Sequence, residues 1–250
     1  MMFRKLTNLA GLLLVIGFLI ATVAFTSLEN KNNICSKIEV NFRSNNIIKV
    51  DDDDIIKMVK AVDSQVVGKP MKQINAEEIE QEIEKLKAIE KAEVYKVMIK
   101  DSASFKGVLS IKVKYREPFV RIMSASGNYY LDKQGNKFPV SINYTANVLT
   151  VTGTINDEVA VNKLIPFVMY VEADDFWKAQ IQQVHVQSNG DATIIPLVGD
   201  QLIEFGSFDN YEKKLRNMRA FYEQVLVKNN WDKYKTVSVK YDNQVIAKKR

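Results

Sequence analysis

The hydrophobic pattern divides the chain into one unbroken apolar run and a long remainder in which apolar and polar positions alternate. The run, Leu6 to Leu28, reads LTNLAGLLLVIGFLIATVAFTSL, 23 residues with no ionisable side chain. As a helix rising about 1.5 Å per residue it reaches roughly 35 Å, enough to cross a hydrocarbon core of about 30 Å with some tilt. Thirteen of its residues are Leu, Ile, Val or Phe, and at about 0.3–0.6 kcal/mol each they favour insertion by roughly 4–8 kcal/mol. A transmembrane helix over 6–28 is therefore predicted. Arg4 and Lys5 precede it, so residues 1–5 are expected to stay in the cytoplasm and everything after Leu28 to be exported. A cleaved secretory signal is the competing reading, because Leu9 to Ala21 has only h-region length and Thr22-Val23-Ala24 resembles a cleavage site. Both readings export the remainder.

Beyond the run the period changes. Ile34, Ser36, Ile38, Val40 and Phe42 fall on alternate positions with Cys35, Lys37, Glu39 and Asn41 between them, the signature of a half-buried strand. Asp51 to Asp54 then precede Ile55, Ile56, Val59 and Val62, spaced for one face of a helix, with four carboxylates placed to cap it and complement its macrodipole. Asn75 and Glu78 form a capping box ahead of Ile79, Ile83 and Leu86, and Ile74 is placed to staple to Ile79. Glu80, Glu82, Glu84, Lys85 and Lys87 read as the solvated face of that helix. Two strands come next, Ala92 to Lys100 and Gly107 to Arg116; in the second, Leu109, Ile111, Val113 and Tyr115 alternate with Ser110, Lys112, Lys114 and Arg116.

Pro118 marks a boundary, since it lacks an N–H and biases Glu117 towards extended geometry. After it, Asn128 to Pro139 reads as a hairpin turned by Asp132 and Gly135, and Val148 to Gly153 as a short strand. Val161, Leu164, Ile165 and Val168 outline a helix that Pro166 is expected to kink or end early. Gln180 to Gln187 and Ala192 to Leu197 flank the turn Ser188-Asn189-Gly190-Asp191, and Gln201 to Phe205 adds another strand. Asp209 with Glu212 makes a second capping box, opening a helix whose buried face is Leu215, Met218, Tyr222 and Val225 and which ends at Asn229 and Asn230. The last strand is predicted over Lys235 to Ala247, with Val237, Val239 and Tyr241 on one face, before Lys248-Lys249-Arg250. The expected class is α+β: a transmembrane helix, a strand–helix–helix–strand–strand module over 34–117, and a mostly antiparallel β domain with helices over 118–250.

Composition narrows the function. With 46% hydrophobic residues, 12 Phe and 10 Tyr, the exported part has the material for a core and is not a disordered tail. The formal charge of +5 falls to +3 once Arg4 and Lys5 are assigned to the cytoplasm, and the charges alternate in sign, which is no nucleic-acid footprint. A single cysteine, Cys35, rules out an internal disulfide framework, and it lacks the small residues that precede a lipidated bacterial cysteine. The one histidine, His185, lies inside a predicted strand, and there is no G-x-S-x-G elbow, phosphate-cradling glycine loop, CxxC or HExxH. Asp51 to Asp54 lack the alternate spacing and central Gly of a calcium loop. Asp174-Asp175 could serve glycoside chemistry, which needs two acids in a cleft, but they are better placed to start the Phe176-Trp177 segment. Neither cofactor, metal nor small-molecule substrate is expected.

A family resemblance ties these elements together. The order strand, helix, helix, strand, strand is similar to a POTRA domain. Behind a single apolar anchor, with Tyr115-Arg116-Glu117-Pro118-Phe119-Val120-Arg121-Ile122 at its exit and Asn128 to Pro139 beyond, the chain resembles the FtsQ/DivIB bacterial cell-division family, with its "ReP" element and "yyld..G..fp" stretch. The resemblance implies a non-enzymatic divisome scaffold, single-pass in the inner membrane at the septum, with its carboxyl-terminal domain periplasmic. It implies recruitment of FtsB, arriving with FtsL, and contact with other divisome proteins. The recruiting surface would be an edge strand at the carboxyl end, where main chain gives affinity and alternate side chains give selectivity. The implied contact residues are Val239, Lys240, Tyr241, Asp242, Asn243, Gln244 and Val245, with Tyr241 foremost. The plainer alternative has Val237, Val239 and Tyr241 facing the core, with Lys248, Lys249 and Arg250 as gatekeepers against unwanted pairing. Two other functions stay open: an anchored POTRA protein for secretion or outer-membrane assembly, and an exported hydrolase.

Overall fold

A computed structural model describes residues 13–23, 33–43, 51–101, 104–141, 145–228 and 231–250. Residues 13–23 form a helix, α1, whose apolar side chains are exposed, Leu14, Phe18 and Ile20 among them. The predicted span over 6–28 extends past both ends of α1 into residues outside the described ones. Among the described residues no helix is long and apolar enough to cross a membrane. The rest forms two compact units, the first ending at Tyr115 and the second running from Arg116 to Arg250.

The first unit has the predicted order: β1 (Cys35–Arg43), α2 (Asp52–Val62), a 3-10 turn (Met71–Gln73), α3 (Ala76–Glu84), β2 (Ile89–Asp101) and β3 (Ser104–Tyr115). Its sheet has the order β1-β3-β2, with β1 parallel and β2 antiparallel to β3. Helices lie on the apolar face because Ile55 and Val59 of α2 and Ile79 and Ile83 of α3 share one core with Leu109, Ile111 and Val113 of β3. The predicted α3 cap is present, Asn75 Oδ1 accepting from Glu78 N at 3.3 Å. Asp51 occupies the cap position of α2 without a side-chain cap bond, so the acidic cluster acts there through first-turn charge alone.

Two predictions about this unit need correction. Cys35, placed by period on the outer face, is fully buried, because the ladder to β3 shifts register between Cys35 and Lys37 and moves it to the other side. Burial pushes its thiol pKa up. Glu80 and Glu84 are not simply solvated. Glu84 Oε1 accepts from Ala92 N at 3.1 Å and Glu80 Oε1 from Val94 N at 2.6 Å, occupying two amide donors of β2. Since β2 pairs with β3 alone among the described strands, these carboxylates close part of an otherwise open sheet edge.

The second unit contains β4 (Val120–Ser124), β5 (Gly127–Leu131), β6 (Lys137–Pro139), β7 (Leu149–Gly153), β8 (Ile181–Val186), β9 (Ala192–Pro196), β10 (Leu202–Gly206), β11 (Tyr234–Ser238) and β12 (Ile246–Lys249). They form one nine-stranded sheet, β12-β11-β10-β9-β8-β7-β4-β5-β6, in which five of the eight neighbouring pairs are antiparallel. Its helices are α4 (Asp157–Val159), α5 (Ile165–Glu172), α6 (Asp175–Gln180) and α7 (Tyr211–Phe221). Phe167, Val168, Trp177, Leu215 and Met218 from the helices share a core with Val120, Val151, Val184, Ile194, Ile203 and Val237 from the strands. Asp174 caps α6 as predicted, accepting from Phe176 N at 2.9 Å and Trp177 N at 3.3 Å.

Four sequence readings differ from the structure here. Pro166 does not end its helix early: a π turn (Ala160–Leu164) sits just before it, with Ile165 N bonded to Ala160 O, and the helix runs on to Glu172. The second capping box does not form, because Asn210 takes the cap position in the left-handed region (φ 56°) and Asp209 instead accepts from Lys163 at 3.2 Å. A π turn after α7 (Tyr222–Leu226) inserts one residue into the helical period, so Leu226 rather than Val225 is fully buried. The predicted end at Asn229 and Asn230 lies outside the described residues. Finally, the strand predicted over Lys235 to Ala247 is two strands, β11 and β12, paired antiparallel, with 239–245 as the connection. Asn243 adopts φ 60° there, a left-handed backbone that breaks the pleat and turns the chain.

Candidate functional site

The carboxyl-terminal edge is assembled from three strands. β10 and β11 run parallel, Ile203 opposite Val237 and Glu204 opposite Ser238, joined by the crossover through α7. Val239 N donates to Glu204 O at 3.0 Å and prolongs this pairing by one residue. β12 then folds back on β11, pairing Ser238 with Ile246, Val237 with Ala247 and Thr236 with Lys248. It stands last in the strand order, with β11 on one side and none of the described strands on the other. Its outer N–H and C=O groups are the open ladder that a partner strand requires.

The sequence-predicted residues do not lie on that ladder. Val239 is 1% exposed and belongs to the core. Lys240 is held by Asp191 at 2.6 Å, and its stem packs over Gly206, where an added Cβ would meet Lys240 Cγ at 2.8 Å. The hydrogen bond to Asp191 raises the Lys240 pKa. Tyr241, 52% exposed, with Asp242, Asn243 and Gln244, forms the outer face of the β11–β12 connection, Asp242 reaching Lys213 at 3.5 Å. Val245 packs partly against the core. The residues on the edge itself are Ile246, Ala247, Lys248 and Lys249, of which Ile246 is 47% exposed. Their signal in the sequence was the Asp242-Asn243 pair, turn chemistry inside what the period of two reads as one strand.

A family model described as FtsQ/DivIB, C-terminal related, matches residues 117–248, and a POTRA-like domain model matches residues 33–102. The chain belongs to the FtsQ/DivIB family. Members of this family and POTRA domains are generally non-enzymatic, and the family's work is that of a cell-division scaffold associated with the membrane. The FtsQ/DivIB match takes in nearly all of the second unit, from Glu117 to Lys248 within β12. No curated protein matches the chain.

For this FtsQ/DivIB chain the structure also places the groups considered for chemistry. His185 is exposed on β8, its Nδ1 3.0 Å from the Thr152 hydroxyl, which also accepts from Gln183 Nε2 at 3.1 Å, and no carboxylate among the described residues hydrogen-bonds the imidazole to orient it. Asp174, far from acting as a free acid, caps α6 and accepts from Arg219 at 2.8 Å; burial alone would raise its pKa, but these bonds together lower it. A depression of about 220 Å³ holds both Asp63 and Glu78, yet Asp63 is tied to Lys69 at 2.6 Å, and that bond keeps its carboxyl below the usual range. Another of about 210 Å³ is lined by Glu172, Lys178 and Ile181. Both are smaller than a typical ligand pocket of roughly 300–1,000 Å³. Among the described residues no group of His, Cys, Asp and Glu could hold a metal ion.

Proposed function

We propose that this FtsQ/DivIB-family protein is a membrane-anchored divisome scaffold that recruits FtsB and FtsL by adding a partner strand to β12. The single observation that carries the reading is the position of β12, last in a nine-stranded order with none of the described strands on its outer side. The opposite edge is less suited, since β6 has three residues and ends in Pro139, which has no N–H to offer. Exposed Ile246 opens β12 and exposed Tyr241 lies on the connection leading into it; together they supply the side-chain selectivity that strand addition needs. The proposed domain plan is a cytoplasmic stub over 1–5, a membrane helix over 6–28, a POTRA domain over 34–117, and 118–250 as the recruiting β domain at the septum. The exposed apolar side chains of α1 support the anchor. The FtsQ/DivIB match over residues 117–248 favours division over a secretion or outer-membrane assembly role.

The test is copurification of FtsB with the membrane-extracted full chain. Tyr241→Glu and Ile246→Glu together are expected to reduce capture at least about ten-fold, the weight of one or two interface hot spots. Melting should be unchanged, because both side chains are about half exposed. Undiminished capture by the folded double variant would remove the site from this edge.

A further inference from the structure

The β2–β3 hairpin outruns its own sheet. β1 covers β3 only from Gly107 to Lys114, whereas β2 and β3 stay paired further out, Ile99 opposite Lys106 and Lys100 opposite Phe105. The projecting ribbon exposes Ile99 and Phe105, the last 61% exposed, with Lys100 and Lys106 beside them, and Val97 and Met98 are exposed where β2 leaves the three-stranded part, next to Lys96. Alternation across two faces puts Ile99 beside Lys106 and Phe105 beside Lys100, so each face carries an apolar side chain and a cation. A bare two-stranded ribbon gains little in water from such side chains. At a headgroup boundary the same side chains would bury their apolar parts while the Lys96 and Lys100 ammonium groups reach lipid phosphate.

Direction in the chain selects the occupant. Because β1 is parallel to β3 and Cys35 pairs with Gly107, the strand that comes after the apolar run enters the sheet at the hairpin end. Lys100 and Phe105 lie about 7 Å beyond that entry. Between Leu28 and Cys35 lie too few residues to reach more than about 25 Å. A strand-adding protein partner on β2 finds the Ala92 and Val94 amides already bonded to Glu84 and Glu80, which leaves it only the short outer part of that edge. Lys96 and Lys100 form no ion pair among the described residues, which leaves their charge for an external anion.

We propose that the β2–β3 hairpin seats on the outer face of the bilayer that anchors the chain, with Phe105, Ile99, Met98 and Val97 at the acyl boundary and Lys96 and Lys100 on anionic headgroups. This rests on the anchored reading of residues 6–28. The test uses the full chain in nanodiscs carrying Phe105→Trp, with the parent chain giving the background of Trp177 and Trp231, and brominated lipid as quencher. In phosphatidylglycerol discs the Phe105→Trp indole should be quenched, and each of Lys96→Glu and Lys100→Glu should shift the seated-to-exposed ratio by about five-fold or more. Alkaline carbonate extraction from vesicles separates the two claims. A chain that resists carbonate while the indole stays unquenched overturns the hairpin proposal and leaves the anchor standing; a chain stripped by carbonate overturns both. Shielding that tracks the number of chains per disc and ignores lipid charge would mark a second copy as the occupant, and would also overturn it.

Discussion

At the scale of single residues, Asp132 ties two separate stretches of the chain together. Its Oδ1 accepts from Gln134 N at 2.9 Å and Asn136 N at 2.8 Å, and its Oδ2 from Asn136 Nδ2 at 2.9 Å and Arg116 Nη1 at 2.5 Å. Two short stretches of the family resemblance, one around Arg116 and one around Asp132, are therefore a single ion-paired corner. Burial by itself would raise the Asp132 pKa, but the bonds from Asn136 and Arg116 outweigh it and the value is lowered. A carboxyl whose folded pKa is depressed stabilises above its unfolded value and loses that contribution as pH falls through the folded value. Asp132→Ala is accordingly expected to cost about 2–4 kcal/mol near neutral pH, because the turn amides of Gln134 and Asn136 and the half-buried Arg116 all lose this carboxylate. In urea titrations the gap from wild type should narrow as pH drops below about 4; a gap that stays constant would show the loss to be turn geometry alone. The turn residues were legible in the sequence, whereas the partnership with Arg116 was not, since 16 residues separate the two.

At the scale of elements, periodicity located the helices and strands, and π turns and left-handed residues decided their phase. The turn over Tyr222–Leu226 carries the clearest consequence: an unbroken 3.6-residue period buries Val225, and the inserted residue buries Leu226 instead. Leu226→Ala should cost about 2–4 kcal/mol and Val225→Ala about 1 kcal/mol or less. Equal losses in thermal or chemical unfolding would mean that the helix keeps its regular phase. The same turn brings Tyr222 under Trp177 and Trp231, where burial pushes its hydroxyl pKa up to about 12. The carboxyl-terminal edge misread has the same origin. Val237, Val239 and Tyr241 alternate perfectly, but alternation cannot register that Asn243 turns the chain.

At the scale of the whole molecule, each unit has its own core: Ile55, Ile79, Ile83, Leu109 and Ile111 in the first, Phe167, Trp177, Leu215, Ile203 and Val237 in the second. A fragment spanning 33–115 is expected to melt cooperatively by itself, as a unit with its own core does. Circular dichroism of that fragment checks this, and a featureless melt would mean that the first core depends on the remainder of the chain. Strand order also belongs to this scale. Which strand stands at the edge is fixed by the crossover through α7 and by β12 folding back, and both are contacts between residues distant in sequence.

The sequence by itself determined the apolar run, the division of the remaining chain into two parts, the element order of the first unit and the family, because these depend on local period, punctuation and short motifs. Tertiary structure alone decided that Glu80 and Glu84 close the β2 edge, that Asp132 holds Arg116, and that the open ladder belongs to Ile246–Lys249 rather than to Val239–Val245. The reason is physical. A period reports which face of an element is buried, while the neighbour on each flank is set by pairings that no stretch of adjacent residues encodes.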